Sequence, residues 1–525
     1  MHYWFVESQN APATDPFLVW FNGGPGCSSF AGAFEELGPF YVNRDGESLY
    51  ENVYAWNKFA NVLFLESPIG VGFSYNTQLA NDTSHKDDLT ADQNYAALGD
   101  FFTRVAPEYS NRSFFLTGES YAGHYIPQLS IRLLSGIING TFPNKNFLGI
   151  AIGNGEFSSQ RQTNSIILWS FYHGRISLND WKYAKEKCKG ADPTVTDIDK
   201  YDFFYYFTTN NSMDYWSNGT PCGDLLQQYL IVPDSMDPYN FYQDCWSAGS
   251  KQIKSKSRRS RTPEKSKAKA RRVRRNALDS NTALTLNYES TDSQWAYPCW
   301  NDGSVTKWAN RRDVQAALNI DVAWQNQKTS GGDPYPWMDC NDHAIYNLYW
   351  NDYADTTQFF DDIIKKAELA GQPNFRMLIY NGDVDTVCNY LGGAWHLQNI
   401  AEKNGFNTNS SRQRWYYADQ TAGFVQRYTK GGLVIDVLTV KGSGHFVPND
   451  RPGAALQMIT NFVSLSSPSG SNVNYNQSVI DFIPNPRPLL NKDSKSRCKS
   501  HHLLTYSGPS DKALGTIESI KRGIK

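Results

Sequence analysis

Six short runs of apolar, β-branched or aromatic residues recur along the 525-residue chain, and each leads directly into a polar turn that contains glycine. Such runs are typical of strands buried on both faces of a parallel sheet. Because the carboxyl ends of parallel strands meet at one edge, open α/β folds place their sites there. The sequence therefore predicts an α/β fold with a site at that edge. The predicted strands are Phe17–Phe21, Val62–Leu65, Ser113–Thr117, Phe147–Ile152, Arg376–Tyr380 and Leu433–Val440, with helices over Thr90–Arg104 and Tyr125–Leu134 between them.

The stretch from about residue 156 to residue 305 breaks this pattern. It is rich in Tyr, Asn and Asp and contains four of the eight cysteines. We interpret it as an insertion over the carboxyl edge of the sheet, which divides the core into residues 1–155 and 306–466. Beyond residue 466 the chain loses its hydrophobic periodicity and ends in a Lys/Ser-rich segment. Residues 467–525 are therefore predicted to be a poorly ordered tail.

Composition excludes several classes of protein. Hydrophobic residues make up 40% of the chain and charged residues 19%, which argues against disorder and coiled coils. No apolar run approaches the ~18 residues that a membrane-spanning helix requires, so no membrane partner is expected. The net charge is −2, yet Lys251–Arg275 contains thirteen Lys and Arg residues and one acid, Glu264. An otherwise acidic chain with one basic segment argues against a nucleic-acid partner.

Glycosylation sequons and scattered cysteines favour the secretory pathway, and hence a lysosomal or secreted protein. Eight cysteines are too few for a disulfide scaffold and none forms a C-x-x-C metal pair, so neither a metal nor another cofactor is predicted. No signal peptide follows Met1, and the chain is expected to be truncated at its start. The N-x-S/T sequons are at Asn81, Asn111, Asn139, Asn210, Asn218, Asn409 and Asn476.

The segment Gly118–Gly123, GESYAG, follows a predicted strand and precedes a predicted helix, which is the setting of a nucleophile elbow centred on Ser120. The alternative is an ordinary strand-to-helix turn. A serine nucleophile needs a base, and the base needs an acid to orient it. His445 follows the last predicted strand, and Asp383 and Asp385 follow the strand before it, in the Ser–Asp–His order of α/β-hydrolases. Together these parts predict a Ser–His–Asp hydrolase, with either aspartate as the acid.

A glycine-rich loop, Asn22–Ser29 with the sequence NGGPGCSS, follows the first predicted strand. Glycines let a backbone approach a substrate closely and aim its N–H groups at a developing oxyanion. The alternative is a tight turn, whereas a phosphate-binding loop is disfavoured because no Gly-Lys-Ser/Thr follows.

Five motifs together, NGGPGCSS, ESPIGVGFS, GESYAGHYIP, YNGDVDTVCN and GSGHFVP, resemble those of the serine carboxypeptidase family, and the likeness runs from His2 to about Val463. The resemblance implies an α/β-hydrolase fold, with a mostly parallel sheet and a helical or irregular cap insertion. It implies hydrolysis of the C-terminal peptide bond of peptides and proteins through an acyl-enzyme. By this resemblance Ser120 is the nucleophile, His445 the general base and Asp385 its orienting acid. Asp385 is preferred over Asp383 because the family's D-x-x-C pattern is completed here by a cysteine.

The resemblance also assigns binding residues and disulfides. Gly24 and Tyr121 would supply the oxyanion-hole amides, while Asn22, Gly23, Glu36 and Glu119 would bind the terminal carboxylate of the substrate, with Trp20 close by. Family pairing implies disulfides Cys27–Cys340 and Cys245–Cys299, with Cys388 unpaired, and the remaining cysteines suggest Cys188–Cys222. Two positions depart from the family pattern, Phe446 in place of the usual Met and Glu35 beside Glu36. The truncated start would also remove the first strands of the family's sheet, and poor folding is therefore expected.

Peptides and proteins with a free C-terminus are the expected substrates, with an acid pH optimum because two glutamates would face a carboxylate. The same triad also suits an acyltransferase that delivers the acyl group to an alcohol, as in plant relatives. A binding role is the third alternative, since a lysosomal member of the family shields glycosidases. A lysosomal glycosidase complex and a homodimer are thus further candidate interactions.

We predict that trypsin removes segment 251–276 from the folded protein, because a run with almost no apolar side chains cannot bury itself. Its dibasic sites are Arg258-Arg259, Arg271-Arg272 and Arg274-Arg275. Brief digestion should give two large fragments on a reducing gel. They should stay joined without reductant if Cys245 pairs with Cys299. A single band under reducing conditions would contradict the prediction.

Overall fold

A computed structural model of the chain describes residues 1–479 except 44, 77–84, 210–214, 231–235, 244–301, 328–331, 333, 342–344, 346–347 and 465–472. The predicted basic loop and four further sequence-predicted positions lie outside those residues: Asn81, Asn210, Cys245 and Cys299.

A nine-stranded sheet forms the centre of the fold. The strands are β1 (Tyr3–Val6), β2 (Phe17–Phe21), β3 (Phe40–Val42), β4 (Leu49–Glu51), β5 (Asn61–Leu65), β6 (Phe114–Glu119), β7 (Phe147–Gly153), β8 (Phe207–Thr209), β9 (Tyr215–Ser217), β10 (Arg376–Gly382), β11 (Gln413–Tyr417), β12 (Gln420–Lys430) and β13 (Leu433–Val440). Strands in the central sheet follow the order β1-β5-β2-β6-β7-β10-β13-β12-β11. The six predicted strands are the six neighbouring parallel members, β5 to β13 in that order, so the predicted parallel sheet is confirmed.

The helices are α1 (Ser29–Ala31), α2 (Asp87–Asp100), α3 (Ala122–Ile138), α4 (Ser159–Tyr172), α5 (Leu178–Lys187), α6 (Pro221–Leu230), α7 (Asp302–Ala309), α8 (Arg312–Ala317), α9 (Val322–Gln325), α10 (Thr357–Leu369), α11 (Tyr390–Lys403), α12 (Val447–Asp450) and α13 (Pro452–Val463). Apolar residues of α2, α3, α10 and α11 cover one face of the sheet, and those of α7, α8 and α13 cover the other. The two predicted helices correspond to α3 and to α2 with the π-helical turn Phe101–Val105 that continues it. No helix in the described part of the chain is long and apolar enough to cross a membrane.

The position of strand β2, covered on both faces of the sheet, explains why its sequence is continuously apolar. Phe17, Val19 and Phe21 belong to the apolar cluster on one face of the sheet, while Leu18 and Trp20 belong to the cluster on the other. All five side chains have no exposed surface. Successive strand residues point to opposite faces, so a strand covered on both sides must be apolar at every position.

Strands β1, β11 and β12 were not predicted from the sequence. They form the two edges of the sheet and pair antiparallel with their neighbours. Polar residues interrupt β11 and β12, whose side chains are partly exposed, and most of β1 is only half-buried. Edge strands have less covered surface than central ones and therefore lack the continuous apolar run on which the prediction depended.

The described part of the predicted insertion has its own apolar cluster. Helices α4 to α6 contribute Ile167, Trp181 and Leu226, and Phe203 from the following segment packs among them. A disulfide joins Cys188 to Cys222 at this cluster. The insertion is thus a packed layer in this region, whereas its predicted boundaries stay a prediction.

A buried ion pair fastens the outer strands of the sheet. Asp436 of β13 is 1% exposed and accepts hydrogen bonds from Arg427 Nε (2.7 Å) and Nη2 (2.8 Å) of β12. The Tyr475 hydroxyl donates to the same carboxylate at 2.7 Å and is itself buried. Residues 473–479 fall within the predicted disordered tail, and for them that prediction is wrong. The segment is held because Tyr475, an aromatic residue among polar ones, is buried and bonded to Asp436.

We predict that Asp436→Ala lowers the melting temperature strongly, because it leaves the Arg427 guanidinium without its buried carboxylate. Removing one partner of a buried pair costs roughly 3–5 kcal/mol. The control is Arg104→Ala, which breaks an exposed pair with Asp100 worth at most about 1 kcal/mol. Equal melting temperatures for the two variants would show that the buried pair does not stabilise the sheet.

Candidate active site

Ser120 lies in a strained turn between β6 and α3. Its φ is 61°, in the left-handed region that a residue with a side chain adopts only at a cost. The Ser120 N–H donates to Gly153 O (3.0 Å), and the Glu156 N–H donates to Ser120 O (2.9 Å). A Cβ on Gly123 would lie 2.2 Å from Glu156 O, so only glycine allows this approach. The turn is held by the end of β7, and the serine side chain remains half-buried rather than enclosed.

His445 and Asp385 form a buried pair beside this turn. His445 Nδ1 lies 2.7 Å from Asp385 Oδ2, and the two side chains are 2% and 0% exposed. The Asp385 carboxylate also accepts hydrogen bonds from the N–H groups of Val387 (2.8 Å) and Cys388 (3.0 Å). Such donors stabilise a buried carboxylate, which can then hold one imidazole tautomer. Asp383, the alternative acid, instead accepts from the Gly442 N–H at 2.7 Å.

Asn154 is a site residue that the sequence reasoning missed. Its φ is 39°, and its Nδ2 donates to Asp385 Oδ2 at 2.9 Å. Its Oδ1 accepts from the Gly382 N–H at 2.9 Å, so one amide ties the end of β7 to the loop of Asp385. The signal was the GNGE turn after a predicted strand, where Asn is one of the few residues with a side chain that readily adopts positive φ.

The glycine-rich loop after β2 lies directly against the serine turn. A Cβ on Gly23 would lie 2.4 Å from Tyr121 N and 2.7 Å from Ser120 Cβ. Gly24 has φ +113°, which favours glycine. The disulfide Cys27–Cys340 is formed and anchors the far end of this loop. The structure thus brings together the segments of both predicted oxyanion-hole residues.

A cluster of polar side chains lies under this loop. Asn22 Nδ2 donates to Glu36 Oε1 (2.8 Å) and to Glu119 Oε1 (3.0 Å), and Trp20 Nε1 donates to Asn22 Oδ1 at 2.7 Å. All four side chains are at most 5% exposed. Glu119 directly precedes Ser120, and Gly23, next to Asn22, packs against the serine turn, so the cluster adjoins the candidate nucleophile.

Burial controls the protonation of the two glutamates. It raises the pKa of Glu36 to about 7, although the Asn22 hydrogen bond opposes the shift. Burial, followed by the charge of Glu36, raises the pKa of Glu119 well above its usual range. Glu36 Oε2 and Glu119 Oε2 have no hydrogen-bond donor among the described residues. At acid pH both carboxyls are therefore neutral and can donate hydrogen bonds to an anion.

Three further residues border the site. Tyr239, in the described part of the insertion, has its ring 4.9 Å from the His445 ring and 5.2 Å from that of Phe446. Tyr239 was not predicted, because the insertion carries no recognisable strand or motif at that point. Cys388 is a buried free thiol, and burial raises its pKa well above the usual range. Glu35 is 8% exposed beside Glu36.

The described sequon asparagines are all exposed: Asn111, Asn139, Asn218, Asn409 and Asn476.

Comparison with known proteins places this arrangement in a family. Residues 1–465 match the family model described as serine carboxypeptidase. The serine carboxypeptidase ctsa-3.1 of Caenorhabditis elegans is 46% identical over 512 residues, covering 92% of this chain and 86% of that protein. The lysosomal protective protein of Mus musculus is 33% identical over 482 residues, covering 88% of this chain and 87% of that protein.

Among solved structures, that of Kex1(delta)p, a prohormone-processing carboxypeptidase from Saccharomyces cerevisiae, is similar to the chain with a TM-score of 0.59 and 20% identity. The likeness covers 88% of this chain and 86% of that one and confirms the predicted α/β-hydrolase fold. The family match extends over nearly all of the chain before its tail and confirms the predicted hydrolase class. The chain belongs to the serine carboxypeptidase family.

Proposed function

We propose that Ser120, His445 and Asp385 hydrolyse the C-terminal peptide bond of peptide and protein substrates. The observation that carries the proposal is the strained Ser120 turn beside the buried His445–Asp385 pair, at the adjoining ends of neighbouring parallel strands. His445 would take the proton of the Ser120 hydroxyl as that oxygen attacks the scissile carbonyl, and would then deliver it to the leaving amine. Water, activated by the same imidazole, would resolve the acyl-enzyme.

The amides of Gly24 and Tyr121 would stabilise the oxyanion of each tetrahedral intermediate. The proposal is supported by the close approach of Gly23 to Tyr121 N, which brings the two segments to one side of the nucleophile. Donors held by the backbone need no reorganisation as the charge develops, and losing one such donor costs about 10²–10³ in turnover in a related mechanism.

The Asn22–Glu36–Glu119 cluster would select the chain terminus. A terminal carboxylate bound there would accept hydrogen bonds from the Gly23 backbone N–H and from the two neutral carboxyls. The Asn22 side-chain amide would hold those carboxyls in place, since it donates to both. An internal peptide segment has no carboxylate at that position and would gain none of these bonds. Because the cluster adjoins the Ser120 turn, cleavage would fall at the last peptide bond, as the exopeptidase function requires.

We also propose that the protein acts in the lysosome or outside the cell. Exposed sequon asparagines, two disulfides within the described residues and the similarity to a lysosomal protective protein support this location. Binding to lysosomal glycosidases and homodimer formation stay predictions from the sequence.

We predict that Ser120→Ala abolishes peptide hydrolysis while the melting temperature stays unchanged. Loss of a triad member typically lowers turnover ~10⁴- to 10⁶-fold. The matched control is Ser135→Ala in the same helix α3, whose hydroxyl donates only to Ile131 O and should be dispensable for catalysis. Turnover of the Ser120 variant within tenfold of the parent's would rule out the assignment.

We predict that KM for peptides rises as pH increases through about 7, because Glu36 then loses its proton and the pair gains a negative charge that repels the substrate carboxylate. The raised pKa means that the neutral, binding form exists below this pH and disappears above it. In Glu36→Gln/Glu119→Gln the amides donate at every pH, so KM should vary less and affinity at neutral pH should exceed the parent's. Glu402→Gln, an exposed site on α11, is the control. A double variant whose KM profile overlays the parent's would refute the carboxyl-pair explanation.

A further inference from the structure

One short piece of the insertion, residues 238–241, contacts the loop of Asp385 through backbone hydrogen bonds. We call it the strap. The Thr386 N–H donates to Pro238 O at 3.1 Å, and the Thr386 hydroxyl donates to the same oxygen. The Phe241 N–H donates to Val384 O at 3.0 Å. Both residues that adjoin Asp385 in sequence are thus bonded to the strap.

The strap also contacts the loop of His445. The His445 N–H donates to Tyr239 O at 2.7 Å. A Cβ on Gly444 would lie 2.1 Å from Tyr239 O and 2.7 Å from Asn240 Cβ, so the two backbones touch at a point where only glycine fits. The strap therefore joins the loop of Asp385 to the loop of His445.

Asp450, at the end of α12, completes this junction. Its Oδ2 accepts a hydrogen bond from the Gly444 N–H at 2.6 Å and from Asn240 Nδ2 at 3.1 Å. One carboxylate oxygen thus holds both the peptide that precedes His445 and the strap that lies on it. Neither interaction involves a residue of the proposed chemistry directly.

We propose that Asp450 is a positioning residue for His445, acting through the Gly444 amide and locked to the insertion by Asn240. The inference rests on the proposed function, in which the imidazole must meet both Ser120 and Asp385. A base displaced by ~1 Å can lose ~10²-fold in turnover. Asp450 accepts from the Gly444 N–H, and Tyr239 O accepts from the His445 N–H. These two hydrogen bonds leave the backbone around His445 little freedom.

The carboxyl is required as an acceptor, not as a charge. Burial raises the pKa of Asp450 to about 7, with the acidic neighbours Asp237 and Asp385 adding to the shift and the Gly444 N–H opposing it. A neutral carboxyl retains a carbonyl oxygen that can accept from Gly444. An asparagine at this position offers the same acceptor, which makes the conservative variant a sharp test.

The test compares Asp450→Ala with Asp450→Asn in the full chain. We expect Asp450→Ala to lower kcat ~10²-fold with KM nearly unchanged, and Asp450→Asn to stay within a few-fold of the parent. The rate of reaction with a small organophosphorus reagent, which has no terminal carboxylate, should fall in parallel with kcat. Asp361→Ala is the control, since it removes a buried carboxylate that accepts from Lys403 and Asn404, away from the site, and should leave kcat unchanged.

Asn240→Ala tests the strap contact without removing the carboxylate and should lower kcat ~5- to 10-fold, as for one lost hydrogen bond. Its effect should largely disappear in the Asp450→Ala background, because both residues act through one unit. This variant also decides the inference if Asp450→Ala fails to fold.

The inference would be overturned by parental kcat in Asp450→Ala, by an effect confined to KM, or by parental kcat in Asn240→Ala. An Asp450→Asn variant as impaired as Asp450→Ala would do so as well, because the acceptor would then not suffice. Parental activity in Asp450→Ala together with an inactive Ser120→Ala would remove this inference alone. Activity in Ser120→Ala would remove the proposed function itself.

Discussion

The parallel register of neighbouring strands is the constraint on which the rest of the site depends. Glu119 at the end of β6 lies opposite Gly153 at the end of β7, and Gly382 at the end of β10 lies opposite Val440 at the end of β13. The chain leaves these strands at one edge, so the residues that follow meet there although they are far apart in sequence. Shifting one strand by two residues would displace the residues at its end by about 7 Å relative to those that follow the neighbouring strand.

Burial gives the polar groups at this edge their chemistry. Exposed to water, Glu36 and Glu119 would be ionised at neutral pH, whereas burial raises their pKa values and favours the neutral forms. The hydrogen bonds from the Asn22 amide oppose this shift but do not reverse it. The Asp385 carboxylate, equally enclosed, receives donors from Asn154 and from the peptides that follow it. Enclosure thus favours the neutral form of the two glutamates, whereas at Asp385 it fixes the hydrogen bonds of the carboxylate that contacts His445.

Local patterns predicted most of the fold and only part of the site. The six apolar runs, the GESYAG turn and the family motifs were visible because each depends on neighbours in sequence. The edge strands escaped prediction because polar residues interrupt them, and Tyr475 because a single aromatic in a polar segment carries no periodicity. Asn154 and Asp450 escaped because their importance depends on which distant N–H group each one meets.

The sequence by itself determined the parallel sheet, the family and the residues proposed for the triad, since periodicity and motif order are properties of short stretches. The order of the residues left both Asp383 and Asp385 as candidates for the acid, and the family's D-x-x-C pattern favoured Asp385. Only the tertiary structure decided that Asp385 contacts His445, that the two glutamates share one buried amide, and that the strap joins the two catalytic loops. These are contacts between residues distant in sequence, and they exist only once the packed sheet has brought the strand ends together and excluded water from them.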